Sequence, residues 1–375
     1  MAYRGTRVDQ LIAEGSGRVR IRDGAALDGR GLTVPVPIAE IARRCAEYLG
    51  RPQDDPTVMA ETMRHYQRVS AGHGIARSRA RPGGLVTYTA RDHPRRLRYE
   101  ADAGARVLAH LAERPRAVAA EFSAAALLGV TDFSDSADTA LLGPYTRRLT
   151  RDVLVPSVRR RAPGLPTWTL RLGERELAVT PPMLTLAHCL RAVLAGEHAW
   201  RTPPGLSEPP DVQAVQVIDR FRREFGLTAE HIGEALHGVI GQRTLHRLLV
   251  LSDGGADSPP ETVLRLIARR AAPHLEWRSQ VPVYEDGTVG APGSLDGRRS
   301  VLTVLDLAVV GSRLYLYYDG EHHLERARRD VDSRIAAELT TRGWAGLRVT
   351  AGMLDDVRSL NVHIRPLGNP ELRAA

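Results

Sequence analysis

The spacing of apolar residues predicts a chain in which helices alternate with short strands. Apolar side chains recur at helical spacing after Pro35 and again after Pro56, and the first of these predicted helices ends at Gly50. Residues 102–130 carry the pattern of two further helices. Short alternating runs between 153 and 179 are typical of strands joined by Pro and Gly turns. The pattern as a whole predicts an α/β protein, with α+β N-terminal and middle regions.

A proline-rich stretch at 202–210 and a second boundary at 252–256 divide this pattern. Within the first 100 residues, two predicted helices lead through a basic loop at 77–81 to a predicted strand at 85–89, and a short hairpin is predicted near 19–24. That order fits a winged helix-turn-helix, although any small α/β module gives the same pattern. The proline-rich stretch 202–210 predicts a linker, followed by three short helices at 212–225, 229–238 and 242–251.

Beyond residue 252 the predicted order is helix, strand, strand, strand, helix, strand. The segments are a helix from Ser258, strands at 275–284, 301–310 and 314–319, a helix at 324–342 and a strand at 344–350. A last helix is predicted at 353–360.

One predicted hairpin brings polar side chains together. With Gly311 and Ser312 as the turn, Asp306 lies opposite Tyr317, and both project from the same face as Asp319 with facing Cβ atoms roughly 5 Å apart. The strand around Asp306 is otherwise apolar. Because an unpaired buried carboxylate is costly, such a group normally pairs or binds a metal.

Composition narrows the class of protein. The 375 residues carry 52 basic and 44 acidic side chains, a net charge of +8, and every basic residue is Arg. An Arg-only set also arises from a GC-rich genome, but the net charge favours a polyanionic partner such as DNA or RNA. The two cysteines, Cys45 and Cys189, fit a reducing cytoplasm, and no apolar run is long enough to predict a membrane span or a secretion signal.

Residues 252–360 resemble a known nuclease fold. The element order, with an acid on the first helix and another in the central strand, resembles the PD-(D/E)XK (restriction-endonuclease-like) core. Four ordered runs are similar to the domain family related to the very-short-patch-repair (Vsr) endonucleases: 258–262, 304–308, 318–323, and 343–344 with 347–350. The resemblance implies a C-terminal αβββαβ core.

A second resemblance concerns the middle of the chain. The runs 116–118, 123–129 and 179–181 resemble the AbiEi antitoxin-like proteins of abortive-infection systems, which in high-GC bacteria often carry such a C-terminal domain. Together the two resemblances imply four parts. They are a winged-helix-like region at 1–100, an antitoxin-like α+β domain at 101–200, a linker with short helices at 201–252 and a Vsr-like domain at 253–375.

The nuclease resemblance implies a Mg²⁺-dependent phosphodiesterase acting on DNA, with Mn²⁺ as an alternative ion. Asp306 would be the main metal ligand and Asp319 the second, and Glu261 would orient a water. His322 or His323 would move protons or donate to phosphate. The supporting residues implied are Gln280, Tyr317 and Glu321, and the DNA contacts are Arg326, Arg329 and Arg334.

Other interpretations of the same residues stay open. Ser258 and Glu261 fit a capping box, Asp319 fits turn chemistry, and adjacent histidines are often merely solvated. The Arg residues of 326–334 fit a solvated helix face, with Arg334 paired to an acid one turn earlier. Tyr317 stands where the family usually has an acid, so the second carboxylate of the motif is missing.

These observations support three hypotheses. The leading one is a cytoplasmic DNA-binding protein that cuts or nicks DNA with Mg²⁺ in phage defence or repair. The second is a non-catalytic DNA-binding regulator of the type IV antitoxin class, with a cognate toxin as partner and a degenerate nuclease fold. An RNA-directed nuclease rests on the charge balance alone.

Overall fold

The computed structural model describes residues 5–14, 32–80, 93–146, 151–319 and 326–367. Helices and mixed sheets make the protein α/β, as the sequence predicts. The chain divides into two compact units: Met1–Arg201 with Glu224–Gly226 and Glu230–Leu245, and Thr202–Arg223 with Leu227–Ala229 and His246–Ala375. Within the described ranges, no helix combines the length and apolar character that a membrane crossing requires. The finer four-part division stays a prediction.

The first unit begins with helices and a small sheet. The elements are α1 Thr6–Glu14, β1 Val36–Pro37, α2 Ile38–Leu49, α3 Pro56–His65, β2 Tyr66–Arg68 and β3 His73–Ala76, and the sheet order is β1-β3-β2. Gly50 ends α2 with a φ of 62°, as predicted, and Asp55 caps α3 by accepting the amide of Thr57. Helix α3 ends at His65, because the next residue, Tyr66, pairs with Ala76 in the β2–β3 ladder. The hairpin at 19–24 and the strand at 85–89 lie outside the described residues.

A five-stranded sheet forms the rest of this unit's core. The elements are α4 Ala103–Glu113, β4 Val118–Ala119, α5 Glu121–Leu127, β5 Ala140–Gly143, β6 Ser157–Arg160, β7 Trp168–Leu172, β8 Arg175–Val179 and α6 Pro182–Leu194, with sheet order β6-β5-β4-β8-β7. The strand expected at 153–155 is wrong. Asp152 forms a turn there, since its carboxylate accepts the amide of Leu154 and its carbonyl accepts that of Val155.

Three helices follow, as predicted, and the second unit then forms the expected order of elements. The helices are α7 Pro209–Phe225, α8 Ala229–Ala235 and α9 Gln242–Leu251. The second unit continues with α10 Pro259–Ala271, β9 Arg278–Tyr284, β10 Val301–Val309, β11 Leu314–Asp319, α11 Arg326–Thr341 and β12 Ala345–Thr350. Its last elements are α12 Ala351–Asp355 and α13 Val357–Leu367, two helices where one was predicted.

The second sheet has the order β12-β11-β10-β9, and its hairpin register matches the prediction. Leu307 pairs with Leu316 and Val309 with Leu314, both antiparallel, and β12 runs parallel to β11. The turn differs from the expected two-residue form, because it is a 3-10 turn closed by Arg313 at a φ of 49°. The register is unchanged, so the central strand presents Asp306 at the predicted position.

Candidate functional site

The predicted site lies where β10 and β11 separate. The described ladder between the two strands ends at the pair Leu307 and Leu316. Beyond that pair, the main-chain amide of Tyr318 donates to Asp306 Oδ2 over 2.8 Å. In a regular ladder this amide would donate to a main-chain carbonyl of the neighbouring strand. Here it donates to the side-chain carboxylate of Asp306, which links the two strands beyond the end of their ladder.

A cavity of about 270 Å³ opens between these strand ends. It is lined by Thr303, Val304, Asp306, Tyr317, Tyr318, Asp319, Ile335 and Arg348. Asp306 and Asp319 thus share one surface depression, in agreement with the predicted common face. Direct opposition of Asp306 and Tyr317 is not part of the described pairing. The Tyr317 hydroxyl instead contacts the hydroxyl of Thr303 and donates to the carbonyl oxygen of Val304 over 3.1 Å.

Gln280 connects the two acids that the sequence analysis placed on different elements. Its Nε2 donates to Glu261 Oε2 over 2.9 Å, and its side chain lies close enough to Asp306 to lower the pKa of that carboxyl. Gln280 faces Asp306 across the β9–β10 ladder, between the pairs Leu305–Val281 and Leu307–Ser279. Its φ of 53° is a left-handed conformation that costs a non-glycine residue about 1–3 kcal/mol. The surrounding structure therefore imposes the orientation of this amide.

Burial sets the protonation of the acids. Burial and, after it, the charge of Glu261 raise the pKa of Asp306 to about 7, although the hydrogen bond from the amide of Tyr318 opposes the shift. Burial also raises the pKa of Glu261, against the hydrogen bonds that Glu261 accepts. Two buried carboxyl groups whose charges repel each other cannot both ionise freely, so near neutral pH the pair retains a proton.

Glu261 also fixes the start of α10. It accepts the amide of Asp257 over 2.9 Å and the hydroxyl of Ser258 over 2.7 Å. The predicted capping box is therefore displaced by one residue, because the amide accepted is that of Asp257 and not that of the N-cap Ser258. Asp257 was not singled out in the sequence, yet its charge raises the pKa of both Glu261 and Asp306.

A buried ion pair positions α10 against α7. Asp219 Oδ2 accepts from Arg265 Nη2 over 2.6 Å and from the hydroxyl of Thr262 over 2.8 Å, and both side chains of the ion pair are 0% exposed. The other carboxylate oxygen of Asp219 accepts the amide of Asp253. Since Thr262 directly follows Glu261, these contacts also fix the position of Glu261 on α10.

The far side of the cavity is formed by β11 and β12. Tyr317 pairs with Arg348 in the parallel ladder, and the guanidinium of Arg348 lies 3.9 Å from the carboxylate of Asp319. The Tyr315 ring lies over Gly346, where a Cβ would come within 2.4 Å of it, and packs edge-on against Tyr317. A glycine is therefore required at position 346 to leave the wall of the cavity intact.

Of the remaining predicted residues, only Arg334 has a described side chain. His322, His323 and Glu321 lie outside the described residues, and so do the side chains of Arg326 and Arg329, whose backbone belongs to α11. Arg334 is exposed on α11. The described residues thus bring together Glu261, Gln280, Asp306, Tyr317 and Asp319.

The donor set fits a hard cation held largely by water. Magnesium typically takes one or two protein carboxylates and keeps several waters, and Asp306 and Asp319 present oxygen ligands to one cavity. Among the described side chains, no cluster of three or more His, Cys, Asp or Glu is arranged to hold a metal ion. The described residues therefore fit Mg²⁺ held by one or two carboxylates and several waters.

Comparisons with known proteins add no relative. Searches of protein-family models, of curated proteins and of solved structures give no significant match to this chain.

Proposed function

We propose that the second unit is a Mg²⁺-dependent DNA phosphodiesterase with a restriction-endonuclease-like core, serving in phage defence or repair. The observation that carries the proposal is the pair Glu261 and Asp306, joined by Gln280 in a strained conformation beside an open cavity. Strained backbone and perturbed carboxyl groups cluster at active sites, because structural roles rarely need both.

Each residue has a distinct part in this proposal. Asp306 and Asp319 would hold the ion, and a bound Mg²⁺ would neutralise phosphate charge and activate water. Gln280 orients Asp306 and Glu261 toward each other through its amide. The proton that these two carboxyl groups retain near neutral pH makes Glu261 a group that can take up or release a proton beside the reacting phosphate.

The test is nicking of supercoiled plasmid by the full-length protein with Mg²⁺ or Mn²⁺. We expect nicking by the wild type and none above background for Asp306→Asn, which keeps the acceptor for the amide of Tyr318. The matched control is Asp211→Asn, an acid on α7 that pairs with Arg247 at the surface of the same unit. Its nicking rate should equal that of the wild type. An intact plasmid with wild-type protein that still binds DNA in a gel shift contradicts the proposal.

A second candidate is a non-catalytic DNA-binding regulator of the antitoxin type, with a cognate toxin as its partner. It is favoured by the order β1-α2-α3-β2-β3 and the sheet order β1-β3-β2, which suit a winged helix with α3 facing the major groove. Thr57, Met59 and Arg64 are exposed on α3. Tyr317 in the place of an acid supports the same candidate. A regulator would bind one operator far better than random duplex and cleave nothing.

Replacing Tyr317 with Glu separates the two candidates. The phenol now fills the space beside Asp306 and bonds to Thr303 and Val304. A carboxylate there would add a ligand to the cavity, so Tyr317→Glu should bind Mg²⁺ about tenfold more tightly, equivalent to about 1.4 kcal/mol. Calorimetric titration measures the change, and Tyr317→Gln is the control for loss of the ring. Equal Mg²⁺ affinity in the Glu and Gln variants would contradict a metal site at this position.

A further inference from the structure

A second cavity lies in the first unit, where strand β4 begins and the antiparallel strand β5 ends, with β6 beside β5. Its volume is about 310 Å³, at the lower end of the range of about 300–1,000 Å³ that small-molecule sites span. Most of its lining is uncharged and largely apolar: Pro115, Ala117, Gly143, Pro144, Tyr145 and Val158. An occupant of this cavity therefore meets mainly apolar surface.

The sheet forms the floor of this cavity, and an aromatic ring stands at its rim. Ala117 and Val158 are buried, and a Cβ on Gly143 would come within 3.0 Å of Val158 Cγ1, so a larger residue at position 143 would press on the floor. Tyr145 is 47% exposed although its side chain is aromatic. A ring that lies half in solvent beside an apolar cavity presents a surface on which a flat ligand can stack.

Two arginines of the turn before β4 bring positive charge to the same cavity. Arg114 is 24% exposed and is held in place, because its Nη1 donates to Glu113 Oε2 over 2.9 Å. Arg116 is exposed and also lines the cavity, and within the described ranges its side chain forms no hydrogen bond or ion pair. A guanidinium is weakly hydrated and forms two parallel hydrogen bonds with a phosphate, so Arg116 suits an anionic group at the rim.

These features together call for a ligand with a flat face and an adjoining anionic group. A nucleotide has both, because its base stacks on aromatic side chains and its phosphate pairs with a guanidinium. The base must be unpaired, since a base within a duplex is stacked between its neighbours and cannot enter a cavity. The net charge of +8 favours a polyanionic strand over a single phosphorylated side chain.

We propose that this cavity binds one unpaired nucleotide, whose base stacks on the ring of Tyr145 and whose phosphate binds the guanidinium of Arg116. The ligand belongs to a single strand, a loop or a strand end, and a free nucleotide shares the same chemistry. Because the lining is mainly apolar, binding depends little on which base is present. This site belongs to the first unit and goes beyond the proposed function, which concerns the second.

The experiment is calorimetric titration of the full-length protein with a short single-stranded oligodeoxyadenylate and with a blunt-ended duplex, both in the presence of a chelator so that nothing is cleaved. Tyr145→Ala should weaken binding of the single strand about tenfold and leave duplex binding unchanged, because only an unpaired base can stack on the ring. Tyr145→Phe keeps the ring and should bind like the wild type. Arg116→Ala should lower the slope of log K against log salt by about 0.7, as expected for one lost phosphate contact.

Each variant has a matched control in the same unit. Tyr48 on α2 is 89% exposed, so Tyr48→Ala removes an equally accessible ring away from the cavity. Arg171 is exposed on β7 at the far edge of the same sheet, so Arg171→Ala changes the net charge as Arg116→Ala does. Both controls should leave binding of the single strand unchanged. Equal weakening by Tyr48→Ala and Tyr145→Ala would overturn the inference, and so would a Tyr145→Ala variant that binds the strand like the wild type.

Titrations with dAMP and with phosphotyrosine identify the source of the ligand. If dAMP binds as tightly as the strand and loses affinity in Tyr145→Ala, the nucleotide site stands and its occupant is a free nucleotide. If only the strand shows this dependence on Tyr145, the occupant is an unpaired residue of a nucleic acid. Binding of phosphotyrosine that depends on Tyr145 and is tighter than that of dAMP would overturn the assignment to a nucleotide.

Discussion

Replacing Asp219 with Ala is expected to lower the free energy of unfolding of the second unit by about 3–5 kcal/mol. Asp219 and Arg265 are both fully buried, and removal of one partner leaves the other charge uncompensated in the interior. The same substitution also orphans the hydroxyl of Thr262 and the amide of Asp253. Denaturant-dependent hydrogen exchange of peptides from α10 and β9 measures the change in this unit alone.

The same helix offers a matched control for Asp219→Ala. Asp211 on α7 pairs with Arg247 over 2.9 Å, but the Arg247 side chain is 53% exposed. Asp211→Ala should therefore lower the free energy of unfolding by less than about 1 kcal/mol. A double variant, Asp219→Leu with Arg265→Met, should recover most of the lost stability, because an apolar pair needs no partner. Equal effects of Asp211→Ala and Asp219→Ala would contradict a structural role for the buried pair.

The order of elements in the second unit could be predicted because short-range patterns determine it. Apolar residues mark β10 and β11, and the predicted turn at 311–312 implies a register in which Leu307 pairs with Leu316, as the structure shows. Asp306 stood out for a simple physical reason: a carboxylate in an apolar strand needs a partner. The N-terminal elements α2 and α3 followed from helix periodicity in the same way.

The details of the candidate site depend on contacts between distant parts of the chain, which periodicity does not reveal. The left-handed φ of Gln280 is unexpected for a non-glycine strand residue, and its side chain is held by a hydrogen bond to Glu261 on α10. The separation of β10 from β11 beyond Leu307 ends the ladder before Asp306. Arg348 lies within a recognised motif, but only the parallel pairing of β12 with β11 brings it to the cavity.

The sequence contains a signal for the buried ion pair that positions α10. Asp219 lies four residues after Val215 on the apolar stripe of α7, and Arg265 lies between Leu264 and Leu266. Opposite charges on two apolar stripes indicate a buried pair, because each charge would otherwise be desolvated alone. The predicted linker region therefore contributes to the second unit through α7.

The last prediction concerns the pH dependence of stability that Asp306 gives to this unit. Burial raises the pKa of Asp306 from 3.8 to about 7, so the folded state binds its proton more tightly than the unfolded chain does. The stabilising contribution of protonated Asp306 is complete below about pH 4 and is lost as the pH rises through about 7. The wild type should therefore lose stability over this range as the buried carboxyl ionises.

Asp306→Asn should abolish this loss, because asparagine stays neutral and still accepts the amide of Tyr318. At pH 8 the variant should be more stable than the wild type by about 2–4 kcal/mol, whereas at pH 4 the two should be equal. Hydrogen exchange at pH 4, 6 and 8 in the presence of a chelator measures this, since a bound cation would itself stabilise the ionised carboxylate. Asp319→Asn, at a 31% exposed position in the same cavity, should change stability by less than about 0.5 kcal/mol at either pH.

A wild-type stability that does not fall between pH 4 and 8, or an Asp306→Asn variant no more stable at pH 8, would show that the carboxyl is solvated. In that case the pKa of Asp306 would not be raised by burial, and the cavity would not hold the perturbed carboxyl group on which the proposed function depends. The substitution Asp306→Asn should therefore raise stability at pH 8 and abolish nicking, because the carboxylate that the reaction requires is the group that destabilises the fold when it ionises.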